Sequence, residues 1–314
     1  MKLFRILLLL GALAALAPLA LIAVAALSGS DHRWPDLLAQ FTAPAFFAAM
    51  ILTVGLIALR MDRASLGALL VAGLLLLAVL PQWTASGPSP GQADPVRIYS
   101  ANLWARNQDV DAIIRSIRQA DADVLVLIEL GDAPAARIEE VLAGYPHRLG
   151  TLRMDRPSGA ARSIIASRLP LTEGPPASLG VHSITGVVQT DFGPLTLVGV
   201  HLTRPWPFQF QWGQINQTTA LAELLRTISG PVVVAGDFNS VTTTRIGRQV
   251  QAETSLLPAP AFPGTWPSAL PSPFGITIDQ VWRSPDLAMT RRSLGAPNGS
   301  DHRPVVTEIT LARP

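Results

Sequence analysis

Val232-Val233-Val234-Ala235-Gly236-Asp237-Phe238-Asn239-Ser240 is an apolar run that stops at a carboxylate and a carboxamide. Consecutive β-branched residues fit a strand buried on both faces, and Gly236 permits a sharp change of direction before the polar pair. The run predicts a central strand with Asp237 and Asn239 at its tip. The alternative is a strand that merely ends in an Asx turn, which Asp and Asn favour through local hydrogen bonds. The flanking sequence decides between the two.

Immediately upstream, Gln214 to Ser229 carries Ile215, Leu221, Leu224, Leu225 and Ile228 on one face, the pattern of an amphipathic helix. Further back, apolar segments repeatedly run into a polar group. Val96 to Leu103 ends near Asn102, Val124 to Leu130 contains Glu129, and Ser163 to Ala166 leads into Arg168. Leu195 to Val200 reaches His201, with Val181 to Thr190 as its expected partner. Asp109 to Ala120 reads as a helix capped by Asp109. Downstream lies a long polar and Pro-rich region. Beyond it, Ile276 to Trp282 contains Asp279, and Val305 to Thr310 follows Asp301 and His302. Strands and helices alternate irregularly, so the fold class is α/β.

The polar groups at these ends form a coherent chemical set. Carboxylates and an Asn amide offer the hard oxygen ligands that Mg²⁺ or Mn²⁺ takes, and His can move protons at phosphate oxygens. An Asp beside a His fixes the tautomer of the ring and favours its protonated form. Singly, each residue is as well explained by a capped turn.

Seven motifs in order change that balance: Ser100-Ala101-Asn102-Leu103, Leu127-Ile128-Glu129-Leu130, Ala166-Ser167-Arg168-Leu169-Pro170, Gly199-Val200-His201-Leu202, Gly236-Asp237-Phe238-Asn239, Ile278-Asp279-Gln280-Val281 and Ser300-Asp301-His302-Arg303-Pro304-Val305. Together they resemble the endonuclease/exonuclease/phosphatase superfamily over about Val96 to Thr310. The resemblance implies a four-layer α/β sandwich, two facing and mostly antiparallel sheets with outer helices, and a divalent-metal phosphodiesterase or phosphatase. It implies that Glu129 binds Mg²⁺ or Mn²⁺, with Asn102 beside it and Asp301 at or near the metal. Asp237 would deprotonate the attacking water and Asn239 would hold Asp237 or a phosphate oxygen. Asp279 would hold His302 toward the phosphoryl group, and His201 would donate a second hydrogen bond there. Some relatives support the first His with a separate Glu; the sequence identifies no such partner for His201. Ile128 departs from the Gln that many relatives carry. Gly264-Thr265-Trp266-Pro267 resembles a family loop near the site, so Trp266 joins Arg168 as a substrate-binding candidate.

Pro205 to Trp212 alternates aromatic residues, Trp206, Phe208, Phe210 and Trp212. One reading packs these rings on one side of a half-buried strand or loop. The other makes them an apolar lip beside the site that touches lipid or substrate, with Trp206 in contact.

About half of the 314 residues are hydrophobic, and the excess lies before Pro81. Three runs at about 4–27, 37–59 and 64–80 read as membrane spans, each near the ~20 residues a bilayer requires. A cleaved signal peptide is the competing reading of the first, whose apolar length exceeds a usual signal core. Residues 1–83 are thus expected to form a membrane anchor, 84–95 a flexible Ser, Gly and Pro linker, and 96–314 a catalytic domain. Lys2, Arg5, Arg60 and Arg63 fall on one side of the spans and Arg33 on the other. The positive-inside rule then places the N-terminus in the cytoplasm and the domain in the periplasm or outside the cell.

Formal net charge is +2, and from Pro95 onward 19 Arg face 18 acids, far from a nucleic-acid footprint. There is no Cys, which excludes disulfides and thiolate chemistry. The expected partners are the lipid bilayer and a phosphoester, most simply a non-nucleic one such as a lipid head group. Two alternatives stand beside this. A tethered nuclease would use a groove of Arg153, Arg156, Arg162 and Arg168 to guide nucleic acid. A binding or scaffold protein would keep the fold without turnover.

Overall fold

The computed structural model describes residues 2–84, 87–151, 162–176 and 180–313. Four helices come first: α1 Lys2–Leu27, α2 Arg33–Ala39, α3 Thr42–Ala58 and α4 Asp62–Trp83. The remainder carries β1 Val96–Asn102, α5 Val110–Ala120, β2 Val124–Ile128, α6 Asp132–Ala136, α7 Ile138–Val141, β3 His147–Gly150, β4 Ile164–Ser167 and β5 Leu171–Glu173. After these follow β6 Ser183–Thr190, β7 Gly193–His201, α8 Gln211–Arg226, β8 Val232–Asp237 and α9 Arg245–Thr254. The chain closes with β9 Leu257–Pro258, β10 Asp279–Arg283, β11 Leu287–Leu294 and β12 Val305–Leu311.

The strands form two six-stranded sheets, ordered β11-β12-β1-β2-β4-β3 and β5-β6-β7-β8-β10-β9. Each contains one parallel pair, β1 with β2 and β7 with β8, and is otherwise antiparallel. The inner faces meet through Ile98, Val126, Ile165, Leu197, Val233 and Val281. Outside the first sheet, Ile113 and Ile117 of α5 cover Leu125 and Leu127. Outside the second, Leu221 and Leu224 of α8 and Ile246 and Val250 of α9 cover Val198 and Val234. The result is the expected four-layer sandwich.

β8 lies inside the second sheet, between β7 and β10. All six of its residues are buried, as the apolar run requires for a strand with sheet neighbours on both sides and layers above and below. Gly236 has φ +145, and a Cβ there would sit 2.0 Å from the Val200 carbonyl oxygen of β7. Only glycine permits the two strands to approach in this way before the chain turns.

α1 and α4 are long and apolar enough to cross a membrane; α2 with α3 makes a third span if counted as one. Their packing is that of membrane helices, with small residues inward and large apolar ones outward. Ala23, Ala45, Ala49 and Ala72 meet at the helix crossings, whereas Leu10, Ile51, Val54 and Leu70 are exposed.

Two expectations are corrected. The second span is not one straight helix over 37–59: it bends by 59° between α2 and α3. The third does not stop at residue 80 but continues through Pro81 to Trp83. The bend is tied to residues outside the apolar helices. Gln40 is buried there, its Oε1 accepting from Val241 N at 2.8 Å and its Nε2 donating to Ser240 Oγ at 3.2 Å and Thr244 Oγ1 at 3.3 Å. A neighbouring Asp36 Oδ1 accepts from Arg245 N at 2.8 Å.

The two parts are also joined elsewhere. Gln82 Nε2 donates to Thr243 Oγ1 at 2.8 Å, and Trp83 and Phe47 pack against Phe262, with Phe274 against Phe47. Within the stretch expected to be a free linker, Pro90 forms a bridge with Ala312 and Gly91 N donates to the Leu311 carbonyl. The chain therefore runs along the sandwich rather than away from it.

Candidate active site

Strand register brings the polar tips together. His201, Asp237 and Asp279 are laterally aligned on β7, β8 and β10, and Asn102 ends β1 beside β2. Glu129 and Asn239 follow their strands with φ +53 and +49, left-handed conformations that are uncommon for non-glycine residues and turn each side chain back over the sheet edge.

Asn102 Nδ2 bridges the two sheets, donating to Glu129 Oε1 and Asp237 Oδ2, each at 3.1 Å. Its Oδ1 accepts from Trp104 N at 2.9 Å, which fixes the amide orientation. Asn239 holds the other side of Asp237: its backbone N donates to Oδ1 at 2.7 Å and its Nδ2 to Oδ2 at 3.2 Å. Burial pushes the Asp237 carboxyl up to about 6, against the opposing pull of the His302 charge.

His302 Nδ1 lies 2.9 Å from Asp279 Oδ2, leaving Nε2 3.9 Å from Asp237 Oδ2 and 4.0 Å from Asp301 Oδ1. Burial works against its charge, but the Asp279 and Asp237 carboxylates outweigh it and raise the imidazolium to about 10. His201 Nε2 lies 3.2 Å from Glu129 Oε1, so the carboxylate partner that no sequence motif identifies is Glu129 itself.

The donor set suits a hard divalent cation. Glu129, His201 and Asp237 offer one ligand atom each within a compact group, as do Asp237, Asp279 and His302. The Oδ1 atom of Asp301 is buried with no hydrogen-bond partner, a costly arrangement for a carboxylate unless a cation or a proton donor comes to it.

These groups floor a cavity of about 360 Å³. Glu129, Asp237, Asn239, Asp301 and His302 line it, and so does Trp266. Trp104, Arg204, Ile276 and Ile278 also line it, together with Leu37, Gln40 and Phe41 from the α2–α3 bend. No motif marked these last three; the only signal was a lone amide, Gln40, within an otherwise apolar run.

Two substrate-binding candidates lie elsewhere. Ser167 pairs with Val124, the far end of β2 from Glu129, and Arg168 is 2.7 Å from Asp121 and stacked over Tyr145. Trp206 packs edge-on against Trp34 at 4.3 Å, beneath Arg33, making a joint between the two parts of the chain. The reading of four rings packed on one side fails, because Phe208, Phe210 and Trp212 are all exposed while Phe208 lines the cavity. Of the arginine groove, Arg153 and Arg156 lie outside the described residues. Arg162 is buried against Asp132 at 2.5 Å.

Residues 98–302 match the model of the Endonuclease/Exonuclease/phosphatase family. No protein among the curated ones matches the chain. Among solved structures, an endonuclease/exonuclease/phosphatase from Beutenbergia cavernae is similar at 23% identity and a TM-score of 0.58, over 70% of this chain and 72% of that one. The catalytic domain of human Nocturnin is similar at 16% identity and a TM-score of 0.52, over 74% and 99%. A mannosyl-6-phosphatase from Bacteroides thetaiotaomicron is similar at 17% identity and a TM-score of 0.53, over 69% and 100%. At these identities the likeness is one of fold.

Proposed function

The chain belongs to the endonuclease/exonuclease/phosphatase family, and from that premise we propose that it is a membrane-anchored, divalent-metal-dependent phosphoester hydrolase acting on a non-nucleic phosphoester such as a lipid head group. The observation that carries this reading is the pairing of a buried carboxylate and a carboxylate-held imidazole in the lining of one cavity. Asp237 is a buried carboxylate raised to about 6, suited to accept a proton from water near neutrality. His302 is an imidazolium held by Asp279, suited to face the anionic phosphoryl oxygens.

Glu129 and Asp301 would hold Mg²⁺ or Mn²⁺, with Asn102 keeping the Glu129 carboxylate in place. When bound, the cation supplies charge neutralisation at the phosphate. Asp237 takes the proton of the attacking water, and Asn239 and Asn102 hold its carboxylate in the attacking orientation. His201, against Glu129, steadies that carboxylate and presents its ring toward Asp237. The neutral charge balance and the paired state of Arg162 and Arg168 give the nuclease alternative no support.

The test is hydrolysis of bis(p-nitrophenyl) phosphate and of a phospholipid by the full chain in nanodiscs, with and without Mg²⁺ or Mn²⁺. Asp237→Ala and His302→Ala are each expected to lower turnover at least a thousandfold while thermal unfolding stays cooperative. Turnover like that of the unmodified protein in either variant would sink the assignment.

A further inference from the structure

The cavity that holds the proposed chemistry is not closed by the sandwich alone. Part of its lining is polar, but Leu37 and Phe41 of the α2–α3 bend also line it, as do Ile276, Ile278 and Phe208. That bend is pinned to the loop after the Asp237 strand through Gln40, which bonds Ser240, Val241 and Thr244. It lies where the apolar helices meet the sandwich: α1 leads into Gly29 and Asp31, bonded to Arg248, and α4 ends at Gln82, bonded to Thr243. Phe208 lines the same cavity and is exposed, as are Phe210 and Trp212 a few residues on.

Such a cavity is amphipathic, with carboxylates and imidazole in part of its lining and aliphatic and aromatic carbon in the rest. An ion or a sugar phosphate would use the polar lining and leave the apolar wall wet. A molecule with a phosphoester at one end and hydrocarbon at the other satisfies both. Resting on the phosphoester-hydrolase reading, the geometry points to a membrane lipid with a phosphoester head group as the occupant, and to Leu37 and Phe41 as the residues that select it by holding the hydrocarbon next to the head group. The membrane segment is then part of the substrate site, not only its anchor. The lipid has a short path, because Leu37 and Phe41 belong to helices whose outer faces carry exposed Leu, Ile and Val side chains, and the exposed rings of Phe208, Phe210 and Trp212 add apolar surface, Phe208 in the cavity lining itself.

The test measures binding apart from turnover. Methyl-, butyl- and hexylphosphonate are titrated calorimetrically into the full chain in nanodiscs with Mg²⁺ present. Each methylene buried against the wall raises affinity about fourfold at most, so hexylphosphonate is expected to bind at least tenfold more tightly than methylphosphonate. Leu37→Ala and Phe41→Ala are each expected to weaken hexylphosphonate several-fold and leave methylphosphonate unchanged; Leu37→Met is expected to keep the original chain-length dependence. A flat dependence in the unmodified protein overturns the proposal, as does an equal loss for both ligands in the alanine variants, which would make the bend a structural support only. The two readings fail separately. A steep chain-length dependence with inert bis(p-nitrophenyl) phosphate removes hydrolysis and keeps the lipid wall, whereas metal-dependent turnover with a flat dependence does the reverse.

Discussion

Asp237 and His302 lie 3.9 Å apart at their closest polar atoms, and each keeps its working form at neutral pH. Asp237 is raised to about 6 by burial, so its carboxylate, the form that accepts a proton, prevails above that pH. His302 is raised to about 10, with its burial outweighed by Asp279 and Asp237, so its cationic form prevails below that pH. The rate constant kcat/KM is therefore expected to rise as pH passes 6 and fall as it passes 10. His302→Gln, assayed over about pH 5 to 11 to cover both limbs, is expected to lose the alkaline limb together with about a hundredfold or more of the rate. An alkaline limb that survives unchanged in this variant would remove His302 from the role. Gly236 offers a stability test at the same scale. Its φ of +145, and the 2.0 Å that would separate an added methyl from the Val200 carbonyl oxygen, mean that Gly236→Ala must shift β8 against β7. The expected cost is about 2 kcal/mol or more, read as a lowered midpoint of thermal unfolding in detergent.

At the scale of elements, the bend between α2 and α3 is the feature on which the most depends. Gln40→Ala removes the amide that bonds Ser240, Val241 and Thr244 and leaves the buried Val241 N–H without that acceptor. Such a change typically costs about 1–3 kcal/mol. A fall of several degrees in the unfolding midpoint is expected, with a lower rate as well, since Val241 sits two residues beyond Asn239. An unchanged midpoint would show that the bend is not held by this contact. The same element marks where sequence reasoning stops. The tips of β1, β7 and β8 are legible because an apolar strand ending in Asn, His or Asp is a local pattern, and Asp279 at the start of β10 is legible through its motif. The bend is not, because Leu37 to Leu59 is apolar enough for one span, with Gln40 as its one amide. Arg168 was misplaced for a related reason: its distance from the site follows from the pairing of Ser167 with Val124, a register no local motif encodes. β11 was missed because Arg291 and Arg292 occupy it as an edge strand, where charge guards the open hydrogen-bonding groups.

At the scale of the whole molecule, the sandwich and the apolar helices share a boundary, and the distribution of charge sets which side of a bilayer that boundary faces. Lys2 and Arg5 lie at the N-terminal end of α1, Arg60 lies in the joint between α3 and α4, and Arg63 lies in the first turn of α4. These lie at the helix ends away from the sandwich, since the opposite ends carry the contacts of Asp31, Gln40 and Gln82 with the domain. If the positive-inside rule governs, the four basic residues stay in the cytoplasm and the sandwich is exported with its cavity against the outer leaflet of that membrane. A C-terminal fusion to a phosphatase that is active only outside the cytoplasm is then expected to be active in bacterial cells. Replacing Lys2, Arg5, Arg60 and Arg63 by neutral residues while adding Lys near Asp31 is expected to lower that activity by disturbing insertion. A silent fusion with stable full-length protein would instead put the cavity in the cytoplasm, where the lipid head groups it meets belong to the inner leaflet. The pairing of site and membrane would survive that outcome, because it rests on the contacts of Leu37, Gln40 and Phe41 with the sandwich rather than on the direction of insertion.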